Sequence, residues 1–180
     1  MRLYLMRHLK PLGADGVCYG SSDLPVDPQL HADALPALRA RLPSGVPVFS
    51  SPLLRCASLA RALADDVRLD ARLAELDFGA WEMQRWDAIA RAEIDAWAAD
   101  VARYRPGGGE SVFDMALRIG AFYNELLAQN LPVAVLVCHA GAIRLLAARV
   151  AGLCPAGMAR EAAARPHAIG YGEVIELESV

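Results

Sequence analysis

The chain of 180 residues carries a formal net charge of −3 at pH 7, and 55% of its residues are hydrophobic. This length suits a single domain, spanning residues 1–180, that buries a sizeable core. Charged residues break every apolar run short of the roughly 20 residues of a membrane span. No basic stripe is present, so we expect neither a membrane nor a nucleic acid as a partner.

The first residues and the cysteines indicate the compartment. The N-terminus contains no long hydrophobic stretch and no small-residue cleavage site, so a secretory signal is not expected. The four cysteines form no CxxC pair, which argues against a zinc knuckle and against a redox-active dithiol. We therefore predict reduced thiols and a cytoplasmic location.

The first third of the chain alternates between strand and helix patterns. Residues 2–6 are predicted as a strand, and residues 11–28, rich in Gly, Pro and Asp, as a long loop. Leucines recur at helical spacing in residues 31–42, and a second strand is predicted at residues 46–49. The predicted order is strand, helix, strand.

A second helix is predicted directly after this strand. In the run SSPLLRCASLARAL, Ser50 or Ser51 is the expected N-cap and Pro52 lies in the first turn, which is a strong signal for the start of a helix. Arg55 is then expected in the first turn of that helix, close to the end of the second strand.

The middle of the chain is predicted to contain two helices. The acidic and aromatic run ELDFGAWE, residues 75–82, is expected to form a loop before them. One helix is predicted at residues 84–101 and the other at residues 111–129. The second begins with Ser111 and Asp114, the Ser-x-x-Asp pattern of a capped N-terminus.

The last third repeats the pattern of the N-terminus. In PVAVLVCHAGAIRLLAARVAG, a β-branched strand ends at His139 and a turn of small residues begins a helix. The alanine-rich run MAREAAARP is interpreted as a mobile surface helix, and residues 169–177 as the last strand. Alternating strands and helices predict an α/β fold, a three-layer α/β/α sandwich around a largely parallel central sheet.

Charged side chains follow three predicted strands at their carboxyl ends, where sheets of this kind bind ligands. They are Arg7, His8, Arg55 and His139. A guanidinium group forms bidentate hydrogen bonds with a phosphate, and the backbone N–H groups of the turn after His139 favour an anion. A neutral imidazole in such a site can attack phosphorus while the cations stabilise the charge that develops on the oxygens. The sequence therefore predicts a phosphate site.

Five motifs together carry a resemblance to a known family. LMRHLKP, SSPLLRCASLA, ELDFGAWE, PGGGES and VCHAGAIR occur in the order and at about the spacing found in the histidine phosphatase superfamily, the phosphoglycerate-mutase-like proteins. Within it, GVCYGSSDLPVD and ELDFGAWE resemble the α-ribazole phosphatase branch, whose members remove a phosphate late in cobalamin assembly. The resemblance covers nearly the whole chain and implies the phosphoglycerate-mutase-like fold.

The resemblance also implies a role for each matched residue. His8 aligns with the nucleophile that becomes phosphohistidine, and Arg7 with the phosphate-binding arginine beside it. Arg55 matches the second phosphate-binding arginine. His139 matches the second histidine of the catalytic pocket, which also contacts the phosphate. Glu75 falls where the family places its proton donor.

Two features of the motifs leave alternatives open. Glu82 lies on the same aromatic loop as Glu75 and is the alternative proton donor. The Gly-Glu pair that usually follows the family's Arg-His is Leu9-Lys10 here, which removes a glycine whose φ values leucine does not tolerate and reverses a charge near the pocket. The α-ribazole-phosphatase-like branch often replaces this pair and follows it with proline, so the change is interpreted as a trait of that branch.

The predicted function is a metal-independent phosphomonoesterase without a cofactor, which acts through a phosphohistidine on a small phosphate ester. The first substrate to test is α-ribazole 5′-phosphate. A broad-specificity phosphatase and a phosphoglycerate mutase are alternatives within the same chemistry, and a phospho-ligand-binding protein with weak turnover is the alternative from another class. A metallohydrolase has the least support because the sequence has no HxH or HxxxH pair. A homodimer is compatible with each of these functions.

Overall fold

The computed structural model describes residues 1–164 and 166–178. Its strands are β1 Arg2–Arg7, β2 Val48–Ser50, β3 Val67–Leu69, β4 Val133–Cys138 and β5 Val174–Glu178. They form one sheet in the order β3-β2-β4-β1-β5. The pairs β1–β4, β2–β4 and β2–β3 are parallel, and β5 runs antiparallel to β1. The predicted α/β fold with a largely parallel sheet is therefore confirmed.

Helices cover both faces of this sheet. The described residues contain α1 Pro28–Ala40, α2 Leu54–Leu63, α3 Arg91–Ala99, α4 Val112–Ala128, α5 Ala140–Val150 and α6 Pro155–Ala163. Helices α4, α5 and α6 share a hydrophobic core with one face, and α1 and α2 share another with the opposite face. This arrangement is the three-layer sandwich that the sequence predicts.

The alternation of side chains along β1 assigns its residues to the two layers. Leu3 and Leu5 pack towards α4 and α5, whereas Met6 packs towards α1 and α2. The strand is apolar almost throughout because helices cover both of its faces. The first charged side chain after this apolar run is Arg7, at the carboxyl end of the strand. The fold therefore brings charge to the carboxyl end of this strand.

The predicted cap of α2 is wrong. The N-cap residue is Leu53, and neither Ser50 nor Ser51 caps the helix. Ser50 is the last residue of β2, and the Ser51 hydroxyl lies 2.8 Å from Nε2 of His139 on the neighbouring strand end. The same hydroxyl accepts the N–H of Leu53, the residue before α2, at 3.3 Å.

The helix predicted at residues 84–101 is wrong over its first part, because only Arg91–Ala99 is α-helical there. The N–H of Cys18 donates to the Gln84 carbonyl at 2.7 Å, and the N–H of Met83 donates to the Cys18 carbonyl at 2.8 Å. Met83 also has a φ of 63°, outside the right-handed helical region. Pairing with the loop before α1 therefore replaces helical hydrogen bonds in this segment.

The other predicted elements include one confirmed helix start and one strand that begins later than predicted. Helix α4 begins after Ser111 with a complete capping box to Asp114, as predicted. Helix α6 is packed against the protein, since its own residues Met158 and Ala159 are buried in the core that it shares with α4 and α5. Residues 169–173, predicted as strand, form a turn before β5. No helix in residues 1–164 and 166–178 is long and apolar enough to cross a membrane.

Candidate active site

Two histidines meet at the carboxyl ends of β1 and β4. In the parallel register of these strands Arg7 is the partner of Cys138, so the next residues, His8 and His139, lie side by side. The centroids of the two imidazole rings are 5.0 Å apart. The structure therefore brings together two side chains that the sequence predicted from separate motifs.

The His8 imidazole is held in one tautomer and kept neutral. Its Nδ1 lies 2.7 Å from the Leu9 carbonyl oxygen, which can only accept, so Nδ1 carries the proton and Nε2 keeps its lone pair. The Nε–H of Arg55 lies 3.3 Å from that lone pair. Burial lowers the pKa of His8 to about 3, with help from the charges of Arg55 and Arg7 and against the Leu9 hydrogen bond. At neutral pH the ring is uncharged and able to act as a nucleophile.

Arg7 and Arg55 carry positive charge that no carboxylate neutralises. Neither guanidinium takes part in an ion pair within the described part of the chain. Arg55 is fully buried and donates to the carbonyl oxygens of Gly20 at 2.5 Å and Ser22 at 2.7 Å. Arg7 donates to the Ile169 carbonyl at 2.5 Å. Sheltered cations without an acidic partner are costly, and an anion between them would offset that cost.

His139 lies behind His8 and not at the surface of the cavity. It is fully buried, and Sγ of Cys56 lies 3.4 Å from its Nε2, the atom that also contacts Ser51. Burial, followed by the nearby His8 and arginine side chains, holds the pKa of His139 well below its ordinary value. The imidazole is therefore neutral at neutral pH and contacts the His8 ring. Its contact with phosphate remains a prediction.

Glu75 reaches the site from the segment that follows β3. Its Oε2 accepts the N–H of Gly141 at 3.1 Å, and its Oε1 accepts the N–H of Leu76 at 3.1 Å. Gly141 lies in the first turn of α5, whose N-terminus favours a negative charge. A Cβ atom at position 141 would collide with the Glu75 carboxylate. The glycine in VCHAGAIR therefore leaves the space that the carboxylate occupies in this position.

Glu82 has a different set of contacts. Its carboxylate accepts the backbone N–H groups of Gly20 at 3.0 Å, Ser21 at 2.9 Å and Ser22 at 3.1 Å. Although burial acts to raise it, these hydrogen bonds and those from the Ser22 hydroxyl and the Phe78 backbone lower the pKa of Glu82. These contacts make Glu82 an ionised anchor of the loop to which Arg55 is also bonded.

Leu9 and Lys10 do not disturb this arrangement. Leu9 is not among the non-glycine residues with positive φ, and its side chain packs with Met6 and Leu38 in the core below α1 and α2. Lys10 is directed to the surface, where its Nζ lies 2.7 Å from a carboxylate oxygen of Asp15. The reversed charge therefore faces the loop rather than the two histidines.

A cavity of about 430 Å³ is lined by Arg7, His8, Arg55 and Glu75. The rest of its wall is largely apolar and aromatic, with Val17, Tyr19, Phe78, Trp86, Trp97 and Val101 among its residues. The rings of Trp86 and Trp97 are 6.1 Å apart and stacked, with an interplanar angle of 9°. A second cavity, of about 610 Å³, lies at the opposite end of β2 and is lined by no histidine. The chemistry is therefore concentrated in the first cavity.

The aromatic residues of the ELDFGAWE region divide into two groups. Phe78 meets both Trp86 and Trp97 edge-on at the cavity. Trp81 is buried with Cys18 in a separate hydrophobic cluster and does not line the cavity. The sequence pattern does not distinguish these aromatic residues. In the structure Phe78, Trp86 and Trp97 line the cavity, whereas Trp81 packs behind Phe78 and Trp97 in a buried cluster.

Tyr171 is a cavity residue that sequence reasoning missed. The N–H of Gly172 donates to the carbonyl oxygen of Arg7 at 3.1 Å, which folds the turn before β5 over the end of β1. The Tyr171 ring lies 5.6 Å from the His8 ring, and its hydroxyl lies 2.7 Å from that of Tyr19. No local motif marks Tyr171, because the antiparallel return of the chain brings it there.

Arg144 and His167 also line the cavity and were not predicted. Arg144 follows Gly141 by one helical turn on α5, so helical spacing from the VCHAGAIR motif would have found it. Its guanidinium donates to the Ala162 carbonyl. The positive charges of Arg7 and Arg144 contribute, after burial, to lowering the pKa of His167. Arg144 therefore adds a cationic group to the cavity beyond those around His8.

Comparison with known proteins identifies the family. Residues 3–169 match the histidine phosphatase superfamily (branch 1), and the chain belongs to that superfamily. This match confirms the resemblance seen in the motifs and the class of enzyme that it implies, a phosphoric monoester hydrolase.

Sequence relatives carry two different names. A glucosyl-3-phosphoglycerate phosphatase of Mycolicibacterium vanbaalenii is 38% identical over 122 residues, which are 59% of this chain and 53% of that protein. That match therefore spans about half the length of the relative. A probable phosphoglycerate mutase GpmB of Enterobacter sp. (strain 638) is 30% identical over 166 residues, which are 85% of this chain and 76% of that protein.

Solved structures share the fold over nearly the whole chain. The α-ribazole phosphatase from Shigella flexneri superposes with a TM-score of 0.82 and 26% identity, covering 99% of this chain and 90% of that one. The mycobacterial glucosyl-3-phosphoglycerate phosphatase superposes with a TM-score of 0.80 and 28% identity, covering 97% of this chain and 88% of that one.

Proposed function

We propose that the protein is a metal-independent phosphomonoesterase that forms a phosphohistidine on His8. The observation that carries this proposal is a neutral histidine beside Arg7 and Arg55, two cations without an acidic partner in the described residues, all at one cavity. Guanidinium groups suit phosphate because their N–H groups match its oxygens in pairs. The site therefore has a nucleophile and a receptor for the group that it attacks.

The reaction follows from these positions in two steps. The lone pair on Nε2 of His8 forms a bond to phosphorus as the bond between phosphorus and the leaving oxygen breaks, while Arg7 and Arg55 stabilise the charge on the phosphoryl oxygens. Glu75 gives its proton to the leaving alkoxide. Water then attacks phosphorus, Glu75 takes up a proton, and inorganic phosphate leaves with His8 restored. His139 supports the His8 ring and is proposed to contact the phosphoryl group.

The aromatic part of the cavity wall supports a substrate with a flat apolar part, and α-ribazole 5′-phosphate is the proposed first candidate. Stacked Trp86 and Trp97 with edge-on Phe78 offer aromatic surface in the cavity that His8 lines. The structural neighbour from Shigella flexneri, which carries the name α-ribazole phosphatase, adds support.

A phosphorylated acid is the second candidate, because Arg144 and His167 line the same cavity and could receive a second anionic group. The names glucosyl-3-phosphoglycerate phosphatase and probable phosphoglycerate mutase among the relatives point the same way. The two candidates differ in chemistry, since one requires an aromatic wall and the other a second cationic site.

A substrate panel in the presence of a chelator tests the proposal. We expect phosphate release from α-ribazole 5′-phosphate with kcat/KM at least about tenfold above that for 3-phosphoglycerate and glucosyl-3-phosphoglycerate, from the burial of the base against aromatic rings. Preference for either acid would favour the second candidate. Equal values would indicate broad specificity, and loss of turnover in chelator would contradict metal independence.

Glu75→Gln is expected to lower kcat on alkyl phosphates such as ribose 5-phosphate by about 10²- to 10⁴-fold, because an alkoxide must be protonated as it leaves. Turnover of p-nitrophenyl phosphate should change by less than about fivefold, since p-nitrophenolate is a good leaving group. Steady-state kinetics on both esters measures the difference.

Glu82→Gln is the matched control for this pair of measurements. It removes the charge that holds residues 20–22, so it should affect both esters alike through the loop and lower thermal stability. If Glu82→Gln instead gave the loss that is selective for alkyl phosphates, Glu82 would be the donor and the assignment of Glu75 would be wrong.

The cytoplasmic location predicted from the sequence is part of the proposal. The structure has four free cysteines, of which Cys154 is exposed. Free thiols are typical of a reducing compartment, which supports this location.

A further inference from the structure

Arg118, on α4, uses every one of its N–H groups, two on the carboxylate of Glu110 and three on the backbone of the segment that carries Glu75. Its Nε and Nη2 each donate to one carboxylate oxygen of Glu110, both at 2.7 Å. Its Nη1 donates to the carbonyl oxygens of Arg72 at 2.6 Å and Ala74 at 2.8 Å, and Nη2 also donates to that of Glu75 at 3.2 Å. These contacts account for all five donors of a guanidinium group.

The held segment has little regular structure of its own. Arg72 lies in the short turn Ala71–Leu73, whereas Ala74 and Glu75 belong to no helix or strand, so their carbonyl groups lack the partners that such elements supply. The side chains of Arg118 and Glu110 are only 21% and 18% exposed, so these hydrogen bonds are largely protected from water. The backbone position of Glu75 is therefore fixed from α4.

The carboxylate of Glu75 also packs closely against the first turn of α5. It accepts the N–H of Gly141, and a Cβ atom at that position would collide with it. A small shift of the backbone at Glu75 would therefore break the contact with α5 or move the acid within the cavity that His8 and Arg55 also line. Proton transfer is sensitive to such shifts because it requires hydrogen-bond distance.

We propose that Arg118, held by Glu110, is a positioning residue that sets the place of the Glu75 carboxyl for protonation of the leaving group. This inference rests on the proposed role of Glu75. It assigns to Arg118 no contact with substrate, since Arg118 is not among the residues that line the cavity.

The test is the dependence of rate on the leaving group. Lysine at position 118 has three donors on one atom and cannot reach both Glu110 and three carbonyl groups. We expect Arg118→Lys to lower kcat on ribose 5-phosphate by about 10- to 100-fold while p-nitrophenyl phosphate changes by less than about threefold, so the plot of log kcat against leaving-group pKa becomes steeper. Glu110→Gln should also lower kcat on ribose 5-phosphate more than kcat on p-nitrophenyl phosphate, and so change the ratio of the two rates in the same direction.

Arg149→Lys is the matched control, because Arg149 also joins a helix to α4, through Asn124 Oδ1 at 2.9 Å, without contacting the Glu75 segment. It should leave the ratio of the two rates unchanged. If Arg118→Lys lowered both rates equally, Arg118 would be merely structural and the inference would be wrong.

The other outcomes separate the inference from the proposed function. A Glu75→Gln variant without leaving-group selectivity would reject Glu75 as the donor, and the inference with it. A selective Glu75→Gln together with unselective Arg118→Lys and Glu110→Gln would overturn the inference alone. If Arg118→Lys fails to fold, the result for Glu110→Gln decides, with thermal melts reporting that this variant is folded.

Discussion

Replacing His8 with alanine is expected to lower kcat/KM for every phosphate ester by on the order of 10⁴-fold or more, because the proposed reaction passes through a covalent bond between Nε2 of His8 and phosphorus. His8 is a neutral ring at the cavity whose Nε2 carries a lone pair, and Nε2 of its neighbour His139 contacts Ser51 in the interior. The measurement is steady-state turnover of p-nitrophenyl phosphate, an ester that hardly needs the acid.

His31→Ala is the control for this variant, since His31 lies on α1, outside the cavity. It should keep activity within about twofold of the unchanged protein, as expected for a substitution remote from the reacting atoms. Thermal melts should show that His8→Ala is folded. Turnover that survives in folded His8→Ala would show that another residue or a water molecule attacks phosphorus.

Removing the charge of Arg55 or Arg7 is expected to cost about 10²- to 10⁴-fold in kcat/KM for all substrates alike, because the lost hydrogen bonds strengthen as charge develops on the phosphoryl oxygens. Arg55→Gln and Arg7→Gln should be measured on p-nitrophenyl phosphate and on α-ribazole 5′-phosphate. Inorganic phosphate and vanadate should inhibit the unchanged protein competitively and inhibit both variants more weakly.

Arg61→Gln is the matched control on the same helix as Arg55, because Arg61 is exposed and lies in the last turn of α2. Its kinetics and its inhibition by phosphate should be unchanged. Arg55 also bonds Gly20 and Ser22, so its variant needs a thermal melt to separate loss of fold from loss of binding. A loss confined to one substrate would place Arg55 at the leaving group and contradict its role with phosphate.

The sequence predicted the parts of the fold that depend on local pattern. Apolar strands ending in His8 and His139, and the capped start of α4 at Ser111, are set by residues close together in the chain. The segment at residues 84–90 was mispredicted as helix because the backbone partners of Gln84 and Trp86, Cys18 and Gly16, are remote in sequence. Helix propensity cannot anticipate a partner of that kind.

The site shows the same division between local and remote causes. The motifs located Arg7, His8, Arg55 and Glu75, and the structure brings all four to one cavity. The motifs could not show which of Glu75 and Glu82 is the proton donor. The difference depends on hydrogen bonds that Glu82 accepts from residues 20–22, which are remote in sequence.

The sequence did not predict that Tyr171 and His167 line the cavity, and the reason is related. They reach the cavity through the segment that leads into β5, the antiparallel edge strand, and that segment has no motif of its own. Arg144 is the exception, since its helical spacing from Gly141 was visible in the sequence.

Trapping the covalent intermediate is the most direct test of the proposed chemistry. The protein is mixed with a radioactively labelled phosphate ester in the presence of a chelator, quenched in base, digested and analysed by mass spectrometry. We expect an acid-labile, base-stable phosphoryl group on His8 that disappears when unlabelled substrate is added and never forms in His8→Ala. A label on another residue, or metal-dependent turnover without any label, would contradict a phosphohistidine on His8.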